Sequence, residues 1–322
     1  MSVLDSTYKA SQQATQLASA VVMVRPVDFA FNEETALDNE FQNKLDDTVK
    51  VTEQALFEFE NMVQNLRTAG IEVLVLEKAE QANHTPDAIF PNNWFSTSVD
   101  GCLTIYPMFA ENRRQERRIS DLCLLLKAQG YLVNQVDQTA PLDEQEEILE
   151  GTGALVIDHL NSVLYASESE RCHSAAFQRF TKQKNYQAGF LFKTTSDNGK
   201  PIYHTNVMMS VGEGFAVICA ECFEDLEEYQ RVKLSLSLHH EVIEISKEQM
   251  ETGFCGNILH VKNANNAPYI VMSKNAFNGF SQAQKQQLAQ YGELLVNDID
   301  TIEAVGGGSA RCMIAEVFLP KL

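Results

Sequence analysis

The chain has 322 residues, of which 44% are hydrophobic and 21% charged, so it can bury a core and is not of disordered composition. Its formal net charge of −19 repels nucleic acid and anionic lipid, and neither is an expected partner. No apolar run approaches the roughly 20 residues that span a bilayer. Residues 1–20 lack a signal-peptide pattern, and the seven cysteines lack disulfide-framework spacing, which together predict a cytoplasmic protein with reduced thiols.

One pattern recurs along the chain: two short strands joined by a turn, an amphipathic helix, and a further strand. The strand pairs are predicted within 89–106, 154–165, 207–218 and 258–272, the helices near 119–126, 175–180, 229–236 and 280–291, and the closing strands at 132–133, 189–192, 241–243 and 300–302. A strand at 20–24 and a helix at 57–66 supply part of a fifth unit, which residues 305–318 complete.

Units of this kind, about 50 to 60 residues long, are too small to bury separate cores, so they must pack against one another. Five units, of which the fifth is shared by the two ends of the chain, predict a closed ring, with residues 1–322 as one α/β domain. The loop that opens each unit then faces the centre of the ring.

Those opening loops carry the candidate functional side chains. They are Asp87, Asn92 and Asn93 in one loop, Glu150 in the next, His204 and Asn206, then Asn257, and finally Cys312 after three glycines. A thiol, an imidazole and a carboxylate at equivalent positions are the components of a nucleophile, a general acid/base and a polar anchor.

Each of these residues also has a structural interpretation. Cys312 would be a buried cysteine after a glycine turn, His204 a core histidine, Glu150 a solvated turn residue and Asp87 a turn cap. The shared position of the first three favours function. Arginines at 113 and 114 belong either to a solvated helix start or to a clamp for a carboxylate.

The pair Cys219 and Cys222 has the spacing of a redox or zinc motif, but no second cysteine or histidine pair accompanies it. We therefore predict no metal there. The glycines at 306–308 lack the spacing of a dinucleotide-binding fingerprint.

Four motifs resemble the guanidine-modifying superfamily, which includes arginine deiminases, dimethylarginine hydrolases and amidinotransferases. They are Pro86-Asp-Ala-Ile-Phe-Pro-Asn-Asn-Trp94, Leu149-Glu-Gly-Thr-Gly153, Tyr203-His-Thr-Asn-Val207 and Gly306-Gly-Gly-Ser-Ala-Arg-Cys312. The resemblance covers nearly the whole chain and implies the pentein fold, a five-bladed β/α propeller. The branch that it resembles most is amidinotransferase-like and associated with citrulline-utilising hydrolases.

The resemblance also implies roles. Cys312 would attack the central carbon of a guanidino or ureido group and form an S-bound intermediate, and His204 would protonate the leaving amine and then activate water. Glu150 would hold the substrate or orient His204, and Arg113 or Arg114 would bind the substrate α-carboxylate. No metal or organic cofactor is implied, and the substrate is a small amino acid.

Two positions depart from the pattern of arginine-acting relatives, which place carboxylates where this chain has Asn93 and Asn206. A guanidinium is best met by carboxylates, whereas an amide satisfies both the carbonyl and the N–H groups of a neutral ureido group. The sequence therefore favours citrulline over arginine. Asp87 is the counter-argument, because with Glu150 it could neutralise a guanidinium.

An amidinotransferase shares the same first step and remains an alternative, as does a non-catalytic member of the fold. The combination of Cys312, His204 and Glu150 argues against the latter. The sequence is compatible with a homo-oligomer and leaves the oligomeric state open.

Overall fold

In the computed structural model, residues 15–45, 48–78, 83–138 and 147–322 are described. Within these ranges the strands form five sheets of three strands each. Every sheet has one antiparallel and one parallel pairing about its central strand. The five repeating units predicted from the sequence are thereby confirmed.

The strands are β1 (Ala20–Val24), β2 (Glu72–Leu76), β3 (Phe95–Thr97), β4 (Cys102–Ile105), β5 (Gln135–Gln138), β6 (Val156–Asp158), β7 (Val163–Ser167), β8 (Ala188–Phe192), β9 (Met209–Val211), β10 (Phe215–Cys219), β11 (Glu241–Ile245), β12 (Leu259–Lys262), β13 (Pro268–Ser273), β14 (Glu293–Asn297) and β15 (Ala315–Val317).

The α-helices are α1 (Thr48–Thr68), α2 (Ile119–Ala128), α3 (Gly151–Ala154), α4 (Ser174–Gln183), α5 (Thr205–Met208), α6 (Leu226–Ser237), α7 (Lys247–Glu251), α8 (Lys274–Gly279), α9 (Gln282–Leu288) and α10 (Asp300–Gly306). Short 3₁₀ helices lie at Thr35–Leu37, Pro91–Asn93, Asn112–Glu116 and Ala220–Cys222. None of the helices in the described ranges combines the length and hydropathy needed to cross a bilayer.

The order of the strands explains why each unit contains a helix. Two parallel strands cannot be joined by a tight turn and need a crossover connection. Accordingly α1, α2, α4 and α6 each connect the two parallel strands of their sheet, and α8 with α9 does so in the fourth unit. Buried faces of these helices pack on the sheets; Leu122 and Leu126 of α2 and Leu236 of α6 are fully buried.

Segments from opposite ends of the described chain form one sheet. Strand β1 lies between β15, which is antiparallel to it, and β2, which is parallel. Ala20 is paired with Val317 on one side and Glu72 on the other. This confirms the prediction that residues 305–318 complete the fifth unit.

Two of the predicted closing strands were wrong. Residues 300–302 lie in α10, and the third strand of that sheet is β14. Ile299, Ile302 and Val305 are all buried at a spacing of three, which is the periodicity of a helix. The closing strand predicted at 132–133 is instead β5, a few residues further on.

The starts of the second and third units also differ from the prediction. Residues 154–155 and 207–208 were predicted as strand, but each unit opens with one helical turn, α3 or α5, before its first strand. These turns contact each other, and α3 also contacts the 3₁₀ helix Pro91–Asn93. The opening loops of neighbouring units therefore meet, as the ring required.

His260 connects the third and fourth units through its ring. Its Nδ1 accepts a hydrogen bond from the backbone N–H of Glu213 (3.0 Å), so Nε2 carries the proton and donates to the carbonyl of Tyr291 (3.2 Å). Burial lowers the pKa of His260 to about 4, although the bond to Tyr291 opposes that shift. A second proton, on Nδ1, would point at the backbone N–H of Glu213 and would have no acceptor.

We expect this histidine to make the fold sensitive to acid. Between its ordinary pKa of 6.5 and about 4, the unfolded chain binds the proton and the folded chain does not, so stability falls as pH is lowered, by up to about 1.4 kcal/mol per pH unit. His260→Gln can keep both hydrogen bonds without titrating and should flatten this slope in denaturant unfolding at pH 7 and pH 4.5. The same change at the exposed His84 is the control, and an unchanged slope in His260→Gln would contradict the argument.

Candidate active site

The carboxylate of Glu150 and the ring of His204 form a fully buried pair. Oε2 of Glu150 lies 2.7 Å from Nε2 of His204, and Oε1 accepts the backbone N–H of Phe109 (2.9 Å). Glu150 precedes the helical turn α3, and His204 precedes α5, so equivalent positions of two units bring them together. The sequence predicted both residues and their common location.

Burial alone would raise the pKa of Glu150, but Arg171, His204 and Arg113 outweigh it and lower the pKa to about 2. Oε2 lies 3.6 Å from Nη1 of Arg171 and 3.9 Å from Nη1 of Arg113. Burial, which Glu150 only partly offsets, lowers the pKa of His204 to about 4. At neutral pH an ionised Glu150 can only accept, so Nε2 of His204 is the protonated nitrogen and Nδ1 is free to act as a base.

Cys312 is buried in the same place and receives two side-chain amides. Nδ2 of Asn257 lies 3.2 Å from Sγ, and Nδ2 of Asn206 lies 3.5 Å from it. Burial raises the pKa of the thiol, while these amides, the Ser309 backbone and Arg311 act in the opposite direction. Asn206, predicted as substrate-binding, therefore contacts the sulfur.

A small pocket joins these groups. It is lined by Asn39, Asp87, Phe90, Asn93, Arg113, Arg171, Tyr203, His204, Gly306, Gly308 and Cys312. Within the described ranges, no group of three histidine, cysteine or acidic side chains lies close enough together to hold a metal ion. The chemistry available is that of a thiol, an imidazole and carboxylates.

Asp87 lines the pocket, and only one of its two carboxylate oxygens accepts hydrogen bonds from described residues. Its Oδ2 accepts from Asn32 (2.7 Å) and from the hydroxyl of Thr35 (3.0 Å). Its Oδ1 is buried with no hydrogen-bond partner in the described structure. A buried acceptor without a donor costs about 1–3 kcal/mol, so this oxygen is suited to a ligand N–H group.

The two predicted arginines are placed differently. Arg113 lines the pocket, but its guanidinium is held by both carboxylate oxygens of Glu116 (2.9 Å each) and by Oδ1 of Asn93 (2.8 Å). Arg114 donates to the backbone carbonyls of Met108 and Phe109. Binding of a substrate carboxylate by either arginine stays a prediction.

The sequence did not single out Arg171. Its guanidinium makes two hydrogen bonds of 2.7 Å with Asp38 and lies over the ring of Tyr203, 4.7 Å from the centroid. Arg171 follows β7 as Arg113 follows β4, so the equivalent loop of the repeat was the available signal. Its partner Asp38 precedes it by 133 residues and has no such signal.

The fold is shared with solved enzymes. ArgZ, an arginine dihydrolase from the ornithine–ammonia cycle in cyanobacteria, matches with a TM-score of 0.70 and 16% identity over 94% of this chain and 41% of that chain. The chain therefore spans well under half of the full-length ArgZ. Its N-terminal domain alone, bound to substrate, matches with a TM-score of 0.70 and 15% identity over 92% of this chain and 97% of the domain.

A third similar structure is the dimethylarginine dimethylhydrolase (DDAH) from Pseudomonas aeruginosa, complexed with citrulline. The TM-score is 0.63 and the identity 14%, over 94% of this chain and 100% of that chain. No curated protein sequence matches the chain. At these identities the similarity is one of fold, and it confirms the predicted pentein fold.

Fold and family together define a hydrolase of carbon–nitrogen bonds within the guanidine-modifying superfamily. More specifically, the chain belongs to the family described as N,N dimethylarginine dimethylhydrolase, eukaryotic, whose model matches residues 25–319. The predictions of superfamily and enzyme class are confirmed.

Gly153 offers a test of the packing around His204. A Cβ atom at this position would lie 2.3 Å from Nδ2 of Asn93 and 2.9 Å from Cε1 and Nδ1 of His204. We expect Gly153→Ala to displace both side chains and to lower kcat by about tenfold or more while the protein stays folded, because small misplacements of reacting groups are costly. Steady-state kinetics with circular dichroism would check this. Gly199→Ala is the control: its Cβ meets nothing within 4 Å, and the backbone strain from its φ of +73° lies outside the pocket, so kcat should stay at the wild-type value. Wild-type kcat in Gly153→Ala would contradict the expected crowding.

Proposed function

We propose that the protein hydrolyses the ureido group of citrulline to ornithine, carbon dioxide and ammonia, with Cys312 as nucleophile. The observation that carries this proposal is the orientation of the Asn93 amide in the pocket. The proposal concerns the substrate and the mechanism, and it takes the enzyme class from the family.

Arg113 determines how the Asn93 amide is oriented. Because a guanidinium can only donate, the atom 2.8 Å from its Nη1 must be the amide oxygen of Asn93. The amide nitrogen then lies on the other side, where it donates to Oδ1 of Asn92 (3.0 Å) and packs beside Gly153 and His204. Asn93 therefore offers a hydrogen-bond donor near the catalytic pair.

A donor at this position suits a ureido group better than a guanidinium. The ureido carbonyl oxygen can accept from Nδ2 of Asn93, and a ureido N–H can donate to the unpaired Oδ1 of Asp87. A guanidinium has only N–H donors, so one of its N–H groups would face the N–H group of Asn93 and neither would have an acceptor. The free oxygen of Asp87 also suits a guanidinium, which makes arginine the second candidate.

The proposed mechanism uses the protonation states of Glu150 and His204. His204, neutral with Nδ1 unprotonated, accepts the thiol proton, and Sγ of Cys312 adds to the ureido carbon. The bond from that carbon to the side-chain nitrogen breaks, and ornithine leaves with the proton from His204. Water then adds to the S-carbamoyl group, the carbon–sulfur bond breaks, and the released carbamate decomposes to carbon dioxide and ammonia.

Two relatives support an amino-acid substrate with a guanidino or ureido side chain. The P. aeruginosa dimethylhydrolase holds citrulline in its structure, and ArgZ is described as an arginine dihydrolase. An amidinotransferase would resolve the same intermediate with an amine, whereas the family is one of hydrolases. A cytoplasmic location, one domain over residues 1–322 and a homo-oligomer stay predictions.

The first test is to incubate the purified protein separately with citrulline and with arginine and to quantify ornithine, citrulline and ammonia. We expect ornithine from citrulline at a kcat/KM at least tenfold above that for arginine, and no ornithine above background with Cys312→Ala. Preferential turnover of arginine would overturn the argument from Asn93. No turnover of either would overturn the proposed substrate.

A second test changes the donor into an acceptor. Asn93→Asp keeps the oxygen that binds Arg113 and replaces the amide nitrogen with a carboxylate oxygen. We expect kcat/KM for citrulline to fall at least tenfold and the ratio of arginine to citrulline turnover to rise, since a charge-assisted bond to a guanidinium is worth about 1.5–3 kcal/mol. Asn93→Ala, which loses donor and acceptor, should lower citrulline turnover without the gain toward arginine. An unchanged ratio in Asn93→Asp would contradict the role of the amide.

A further inference from the structure

Asn257, at the start of the fourth unit, is fully buried and makes contacts that the proposed mechanism has not used. Its Oδ1 accepts the backbone N–H of Arg311, the residue before the nucleophile, at 3.0 Å. Its Nδ2 lies 2.9 Å from the carbonyl of Asn206 and 3.2 Å from Sγ of Cys312. One side chain thus contacts both the backbone and the sulfur of the last loop.

These partners leave the amide only one orientation. A backbone N–H requires an acceptor, so the oxygen must face Arg311, and a backbone carbonyl requires a donor, so the nitrogen must face Asn206. An N–H of Asn257 is therefore directed toward the sulfur. Asn206 differs, because both its Nδ2 (3.5 Å) and its Oδ1 (3.8 Å) lie within reach of Sγ.

From this geometry we infer that Asn257 is a positioning residue that holds Cys312 in place and donates a hydrogen bond to its thiolate. The inference rests on the proposed role of Cys312 as nucleophile. A thiolate in a buried site loses its hydration, and a directed amide N–H replaces part of it. In the free enzyme, burial raises the pKa of Cys312, and the bond from Asn257 is the largest of the contributions that oppose the rise.

Other ionisable groups face the same sulfur and must be held constant in the test. Those lining the pocket are Asp87, Arg113, Arg171, Tyr203 and His204, with Glu150 behind His204 and Arg311 adjacent in the chain. Substitution at Asn257 leaves all of these side chains in the protein. Because Asn257→Asp adds a carboxylate beside the sulfur, the shift attributable to the lost donor is the one that an uncharged substitution at Asn257 shows as well.

The experiment measures the rate at which iodoacetamide alkylates Cys312, between pH 5 and pH 10, with the modified peptide identified by mass spectrometry. Asn257→Asp keeps the acceptor for Arg311 but removes the donor. We expect alkylation at pH 7 to slow by about tenfold or more and its pH midpoint to rise by about one unit or more. This is the size of change expected when a thiolate loses one hydrogen-bond donor. The kcat should fall while KM changes little.

Two further variants separate this role from a general loss of structure. Asn257→Leu has a similar shape, no donor and no charge, so a rise of its midpoint by about one unit or more shows that loss of the donor, and not the added carboxylate, causes the shift. Asn263→Asp is the matched control, because this buried asparagine of the same unit also accepts backbone N–H groups, from Asn265 and Ala267, away from Cys312. It should keep the wild-type midpoint.

Folded Asn257 variants with the wild-type alkylation rate and midpoint would overturn the inference, even if their turnover were lower. The assay reads the thiol directly and needs no ureido substrate. Slower alkylation in the variants, together with no turnover of citrulline by the wild type, would therefore support the positioning role of Asn257 and reject the proposed substrate.

Discussion

The buried carboxylate of Glu150 is the constraint on which the arrangement of the site depends. An isolated charge in a protein interior costs far more than a domain can supply, so it must be paired and hydrogen-bonded. Glu150 meets this need with His204, the Phe109 backbone and two nearby arginines. Those arginines are themselves buried and require carboxylates of their own, Glu116 and Asp38. The result is a connected set of alternating charges drawn from several units.

The same set of charges determines what the pocket offers a substrate. Because Glu150 is ionised, His204 carries its proton on Nε2, which faces the carboxylate, and its Nδ1 stays unprotonated. With Arg113 held by Glu116, Asn93 must turn its oxygen toward the cation and its nitrogen away from it. Asp87 is left with an oxygen to which no group in the described part of the chain donates. Donors and acceptors are thus presented in a fixed order before any ligand arrives.

The sequence predicted the sheets well because a strand pair and its turn are a local pattern. It failed at residues 300–302, where the spacing of buried apolar residues is helical, and it missed the apolar run Leu294-Leu295-Val296 of β14 a few residues earlier. It predicted Glu150, His204 and Cys312 because they occupy equivalent positions of a repeat. It could not separate Arg113 from Arg114, since only the path of the 3₁₀ helix directs one inward. Arg171 depends on Asp38, which lies far away in the sequence and carries no repeat signal.

The sheet shared by β1 and β15 has a consequence for synthesis. As the ribosome extends the chain, β1 (Ala20–Val24) is made long before β15. Every residue of β1 is buried in the folded protein, and one edge of the strand stays unpaired until β15 has been made. Cys312 leaves the ribosome just ahead of β15, and the other residues of the pocket precede it. A partly made chain therefore lacks the proposed nucleophile, and the Cys312 thiol meets Asn206 and Asn257 only when β15 is about to close the ring.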